Sequence, residues 1–158
     1  MTENKGTLEW NEQEIASALK ISTEAVREYF TDGRRVSFLL ERRISKEIIR
    51  GTLASSEGAG YDLLDSQGGK WEVRSISKGG IYFSPSYMVG SGRSFKEEGF
   101  LKKLHEVKGY IVSDIESFPK IPYWIIGNGQ VEEWWTTGKL GPITKISRKK
   151  ALSLLAKL

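Results

Sequence analysis

Residues 61–77 read YDLLDSQGGKWEVRSIS, and the fold turns on this stretch. Two runs of strand-forming residues, YDLLD (61–65) and KWEVRSIS (70–77), flank SQGG (66–69), whose composition marks a turn. The pattern predicts a β-hairpin. Strand side chains alternate between faces. Along 70–78, Glu72, Arg74, Ile76 and Lys78 therefore share one face, and Trp71 and Val73 the other. Asp62 stands on the preceding strand, across a four-residue turn. Two carboxylates on adjacent strands can approach closely enough to hold one divalent cation, and Mg2+ takes oxygen ligands while keeping water of its own. Such a cation neutralises a phosphodiester, lowers the pKa of a bound water and stabilises the leaving oxygen. Arg74, two residues beyond the glutamate, points at the same spot and can orient the water or offset charge on the phosphate.

Outward from the hairpin, residues 51–60 (GTLASSEGAG) read as a small-residue loop, preceded by three helices. Residues 11–31 form two of them. Asn11 caps the first, with Glu14 completing a capping box, and Ile15, Ala16 and Leu19 fall on one face. Ser22 or Thr23 starts the second, which turns Ala25, Val26, Tyr29 and Phe30 inward and ends at Asp32-Gly33. The third, about 34–50, has Val36, Leu39, Leu40 and Ile44 as its apolar stripe. After the hairpin come a turn at KGG (78–80), a third strand at IYFSPS (81–86) and a GSGR loop (90–93). A helix at 94–106 buries Phe95, Phe100, Leu101 and Leu104. YIVSDI (110–115) and PYWIIG (122–127) suit strands covered on both faces. A short helix begins at VEEWW (131–135), and Ser147 caps a last basic helix, RKKALSLLAKL. This order implies an α/β (α+β) fold, a mixed central sheet flanked by helices. Residues 1–33 form an N-terminal helical segment and 34–158 the core with its C-terminal helices.

The 158 residues carry 39% hydrophobic and 28% charged side chains, an ordinary globular composition. A formal charge of +4 suits an anionic partner such as nucleic acid. The absence of cysteine excludes disulfides and cysteine-ligated zinc. The single histidine, His105, excludes histidine-rich metal sites and argues against a Ser-His-Asp triad. No apolar run approaches the roughly 18–20 residues that cross a membrane, and MTENKGTLEW has no hydrophobic signal core. A soluble, cytoplasmic protein is expected.

Asp62, nine residues, then Glu72-Val73-Arg74 resembles the PD-(D/E)xK nuclease motif. The whole of 61–77 is similar to the active-site hairpin of small homodimeric type II restriction endonucleases. Helix, hairpin, third strand, helix and two buried strands follow that family's core over residues 34–127. The resemblance implies a restriction-endonuclease-like core and a Mg2+-dependent endonuclease that cuts double-stranded DNA at a specific site as a homodimer. Asp62 and Glu72 would bind the metal. An acidic residue on the preceding helix completes the set; Glu41 is the candidate, with Glu57 a second. Arg74 departs from the pattern, for the family has lysine there. Arginine stays protonated and cannot act as a general base. Lys78 on the same face and Lys70 nearby are possible substitutes.

Contacts to DNA are expected from the basic pairs Arg34-Arg35 and Arg42-Arg43, from Lys46, Arg50 and Lys78, and from the polar segment with Ser84, Ser86, Tyr87, Ser91, Arg93 and Ser94. EIASALKISTEAVREYF also has the spacing of a helix-turn-helix, with Ala16 at the crossing and Lys20 where the pattern has glycine. Its recognition helix would present Thr23, Glu24, Arg27 and Glu28, with Arg27 suited to guanine. The alternative is a plain helical pair that packs on the core or builds a dimer interface. For the hairpin, the alternative is an ordinary solvated strand face. For the whole chain, Arg74 favours a non-enzymatic DNA-binding protein with a degenerate nuclease core. The two glutamates of the second helix favour an interaction domain without nucleic acid.

Overall fold

Leu63–Leu64 (β3) and Lys70–Ile76 (β4) pair antiparallel, Leu63 opposite Trp71 and Leu64 opposite Lys70, so the predicted hairpin is present. The computed structural model describes residues 4–56 and 59–158. Asp65 organises the turn. Its Oδ1 accepts the backbone N–H of Gln67 (2.9 Å) and Gly69 (2.7 Å), and its Oδ2 accepts from the Trp71 indole (3.0 Å) and Lys108 Nζ (3.1 Å). Gly68 supplies the positive φ of 80° that the turn requires.

From this hairpin the sheet grows both ways. Thr52–Leu53 (β2) pairs antiparallel with β3. On the other side β4 runs parallel to Gly109–Asp114 (β6), with helix Glu97–Glu106 (α4) as the crossover. Lys120–Gly127 (β7) returns antiparallel to β6, and Lys5–Glu9 (β1) adds to β7. The order is β1-β7-β6-β4-β3-β2 in one mixed sheet. Gly109 is required where β6 starts, because a Cβ there would stand 2.0 Å from the Ile126 carbonyl oxygen on β7.

Helices Glu12–Leu19 (α1), Thr23–Phe30 (α2) and Gly33–Ile44 (α3) cover one face, burying Val26, Phe30, Leu40 and Ile44 with Trp71, Val73, Ile111 and Ile121 of the sheet. On the other face α4, Asn128–Thr136 (α5) and Arg148–Leu155 (α6) bury Phe100, Leu104, Val131 and Leu154 with Ile76, Tyr110, Val112 and Ile126. Each fully buried side chain of this kind contributes about 1.5–3 kcal/mol. The parity read along β4 holds, with Trp71 and Val73 under α1–α3 and Ile76 on the α4 side. Strand β6 is buried at every residue, as its apolar run implied. No helix is long and apolar enough to cross a membrane among the described residues.

Several local expectations shift. Asp32-Gly33 does not end α2 but starts α3: Asp32 is its N-cap, its carboxylate accepting from Arg34 N (2.9 Å) and Arg35 N (3.3 Å). The third helix continues past Ile44 as one wider turn, Ser45–Ile49, and stops where Arg50 takes φ 53°. The 51–60 loop contributes β2. The strand expected at 81–86 is only Ile81–Tyr82 (β5), and it leaves the main sheet to pair with Lys145–Ile146 (β8). Strand β1 had no counterpart in the sequence reading. From the expected N-terminal segment, Leu8, Ala16, Val26 and Phe30 pack in the same cluster as Leu40, Ile111 and Ile121. Lys20 adopts the left-handed conformation (φ 58°) for which the helix-turn-helix pattern uses glycine. Leu19, read on one face with Ile15 and Ala16, is 63% exposed.

Candidate active site

The β3–β4 ladder stops where the chain enters at Asp62. The Asp62 N–H donates to Trp71 O (3.0 Å), and its Oδ2 accepts the Val73 N–H (2.8 Å). Beyond that point β4 continues to Ile76 with, among the described residues, only β6 paired beside it. A cleft of about 700 Å³ opens at this bare edge, walled by Arg34, Ser37 and Glu41 of α3, by Asp62 and Arg74, and by Tyr82 and Ser86. A second cleft of about 450 Å³ shares Asp62, Glu41 and Ser37 with the first and runs on past Phe38, Arg42 and Tyr61. Asp62 and Glu41 thus stand where the two clefts join.

Glu72 is 5% exposed and lies under α4. A cation sits on each of its oxygens: Lys103 Nζ on Oε1 (2.7 Å) and an Arg74 terminal nitrogen on Oε2 (3.1 Å). The same Arg74 nitrogen is 3.8 Å from Asp62 Oδ2 and also donates to Val73 O (3.0 Å). The other terminal nitrogen donates to Ser84 O (3.4 Å), while Nε is buried without a hydrogen-bond partner among the described residues.

The two carboxyls lie close enough for a proton on Asp62 to bridge to Glu72. Burial, that bridge and the Glu72 charge push Asp62 up to about 7, against the pull of the Val73 N–H and Arg74. Burial works against ionising Glu72 too, but the charge of Arg74, the hydrogen bond from Asp62 and Lys103 outweigh it and hold Glu72 below the usual range. Burial likewise opposes the charge on Arg74, and Glu72 and Asp62 overcome it, keeping the guanidinium protonated. A carboxyl pair with one proton in play near neutrality can trade that proton for a cation. Two carboxylates also satisfy Mg2+ by number, since it fills its remaining positions with water. Among the described residues, no group of three or more histidine, cysteine, aspartate or glutamate side chains is gathered as a metal cluster. Glu41 is nevertheless on the same cleft as Asp62.

The fold therefore gathers Asp62, Glu72 and Arg74, with Glu41, Arg34 and Ser86 around the cleft. Other candidates lie elsewhere or are committed. Arg27 reaches Glu12 (2.9 Å) and Phe118 O (2.9 Å). Arg35 stands beside Glu28 (3.8 Å) and Asp32 (3.7 Å). The Ser84 hydroxyl is buried against Thr144 Oγ1 and Ile143 O. Arg93 donates to Ser86 O (2.9 Å) and Val89 O (3.3 Å) and so braces its own loop. Tyr87 is 63% exposed, and Lys78 lies in the turn after β4. Lys70 stands 5.3 Å from the Tyr61 ring centroid. Glu57 lies outside the described residues.

Lys103 was missed. Its signal was present, for it follows Phe100 by three residues and precedes Leu104 by one, on the arc of α4 that faces the sheet. No family model, no curated protein and no solved structure matches this chain.

Proposed function

We propose that the protein is a Mg2+-dependent endodeoxyribonuclease that hydrolyses double-stranded DNA at a specific site, working as a homodimer in the manner of small type II restriction enzymes. The observation that carries this reading is the pair Asp62–Glu72, side by side just before β3 and on β4, with Arg74 and Lys103 packed on Glu72 and Asp62 in the wall of the cleft. Asp62 and Glu72 would hold Mg2+, with Glu41 across the cleft, and the bound ion would supply charge neutralisation and an activated water. To hold the ion, Asp62 would have to be ionised, and its raised value means that it would release a proton on binding. Arg74 keeps Glu72 ionised and oriented, and being permanently protonated it takes no proton from water. Lys103 provides the ammonium that the nuclease resemblance expects from the strand, delivered from α4. Arg34 lines the cleft and would meet a phosphate there. A two-fold dimer of such subunits cuts both strands of a palindrome.

The alternative, a DNA-binding protein without catalysis, draws on one observation. Both Glu72 oxygens already carry protein cations, so the pair is neutralised internally. Incubation of the protein with plasmid or phage DNA separates the two readings. Discrete fragments with Mg2+, abolished by EDTA, are expected. A gel shift without cutting at any Mg2+ concentration would leave the alternative. Neither cutting nor shift would remove nucleic acid from the account.

A further inference from the structure

The second cleft points to a substrate feature beyond metal and phosphate. Phe38, on α3, is 56% exposed, yet it faces a concavity of about 450 Å³, within the range of small-molecule sites (roughly 300–1,000 Å³). An exposed phenylalanine alone is ordinary. Its surroundings are not. The Arg42 guanidinium lies over the ring, 3.4 Å from its centroid, and is anchored there by donating to Phe38 O (3.0 Å). Tyr61 lines the same cleft, and Lys70 sits over its ring. Both aromatic rings thus carry a cation, the combination that holds flat, electron-rich heterocycles by stacking beside an anionic backbone. Ser37 adds an acceptor at the end of the cleft next to Asp62 and Glu41, where a ring amino group can donate.

We propose that this cleft is a nucleobase pocket, holding one unstacked base of the strand whose phosphate lies at Asp62. Asp62 and Glu41 belong to both clefts, so a phosphate at the acidic pair brings the adjoining base to Phe38 and Tyr61. A base paired and stacked within a duplex cannot enter. The nucleotide beside the cut bond is therefore single-stranded or extruded from the helix. The assignment rests on the nuclease reading for the position of the phosphate.

Fluorescence anisotropy in EDTA, with a labelled single-stranded oligonucleotide and its duplex, tests the pocket without cleavage. Phe38→Ala should weaken single-strand binding by about 5- to 150-fold, the range for loss of one stacked base, and Phe38→Trp should restore it. Because Phe38 is on the surface, both variants should melt as the wild type does. A 2-aminopurine scanned through the duplex separates the two sources of the base. A fluorescence change at one position, lost in Phe38→Ala, reports extrusion. A response confined to the single strand reports an unpaired substrate. If Phe38→Ala binds both DNAs as the wild type does, the pocket is wrong, and cutting by the wild type with Mg2+ would leave the nuclease reading standing. If Phe38→Ala loses affinity while the wild type cuts nothing, the pocket stands and the nuclease reading falls. No binding of either DNA by the wild type, in EDTA or with Mg2+, together with no cutting, would sink both.

Discussion

Asp62 and Asp65 flank the same two-residue strand and live in opposite electrostatic worlds. Burial disfavours the charge on Asp65, but the Trp71 indole, the Gly69 and Gln67 amides and Lys108 outweigh it and pull the carboxyl down to about 2. Asp62 accepts one backbone N–H and faces a second carboxylate, so burial and Glu72 push it up to about 7. Hydrogen bonds to an ionised group stabilise a fold. A carboxyl kept from its preferred charge state does not. Asp65 holds the hairpin together. Asp62 occupies a position whose electrostatic cost the rest of the fold must offset, as sites kept for chemistry often do.

The sharpest way to break that contrast is to exchange the two losses. Asp62→Ala should lower DNA cleavage by on the order of 10²–10³-fold or more, the scale for losing one group that offsets transition-state charge, while leaving the urea midpoint unchanged or higher. Asp65→Ala should do the reverse, costing about 1–3 kcal/mol in urea unfolding because it strands the Trp71 indole donor, with the cleavage rate within a few-fold. Equal cleavage by Asp62→Ala and wild type would end the site assignment.

Next in size is Lys103. Lys103→Met removes one of the two cations on Glu72 and should cost about 1–3 kcal/mol in stability as well as activity. Lys103→Arg should recover the stability. If it recovers full cleavage too, the ammonium has only a supporting role.

Titration separates the two aspartates by sign. The folded-state value of Asp62 lies above the usual 3.8, so its contribution is fully present below about pH 4 and is lost as pH rises through 7. Asp62→Asn should therefore gain on the wild type in Tm between pH 5 and 8. Asp65 lies below 3.8, and its contribution is present above about pH 4 and lost as pH falls toward 2. Asp65→Asn should close the gap to wild type as the solution is acidified. Parallel pH profiles for the two variants would contradict the contrast.

The smallest effect belongs to Arg27, which is spent on Glu12 and the Phe118 carbonyl. Arg27→Ala should cost about 1 kcal/mol of stability and leave DNA affinity unchanged in a gel shift. A large loss of affinity would revive the helix-turn-helix reading of α1 and α2.

Much of the fold was legible because its signals are local. Asn11 and Ser147 cap their helices as read, and of Ser22 and Thr23 it is Ser22 that caps the second, each side chain accepting the backbone N–H three residues on. The apolar run of β6 showed its burial. Other elements had no local signal. Strand β1 buries one residue of five, too few for a period of two to show, and β2 hides in a small-residue loop. Strand β5 looked like a sheet strand, but the turn at 77–80 sends it to β8, some sixty residues on.

The sequence by itself determined which residues could meet across the hairpin. Strand parity and a four-residue turn suffice to bring Asp62 near Glu72, because both act over a few bonds. It also placed Arg74 beside them on the same strand face. Only the tertiary structure decided the charge of that site. Lys103 comes from a crossover helix whose packing depends on Phe100 and Leu104, and the clefts exist because β3 ends before β4 does. Burial, which sets whether Asp62 keeps its proton, belongs to the assembled layers and to no single stretch of chain.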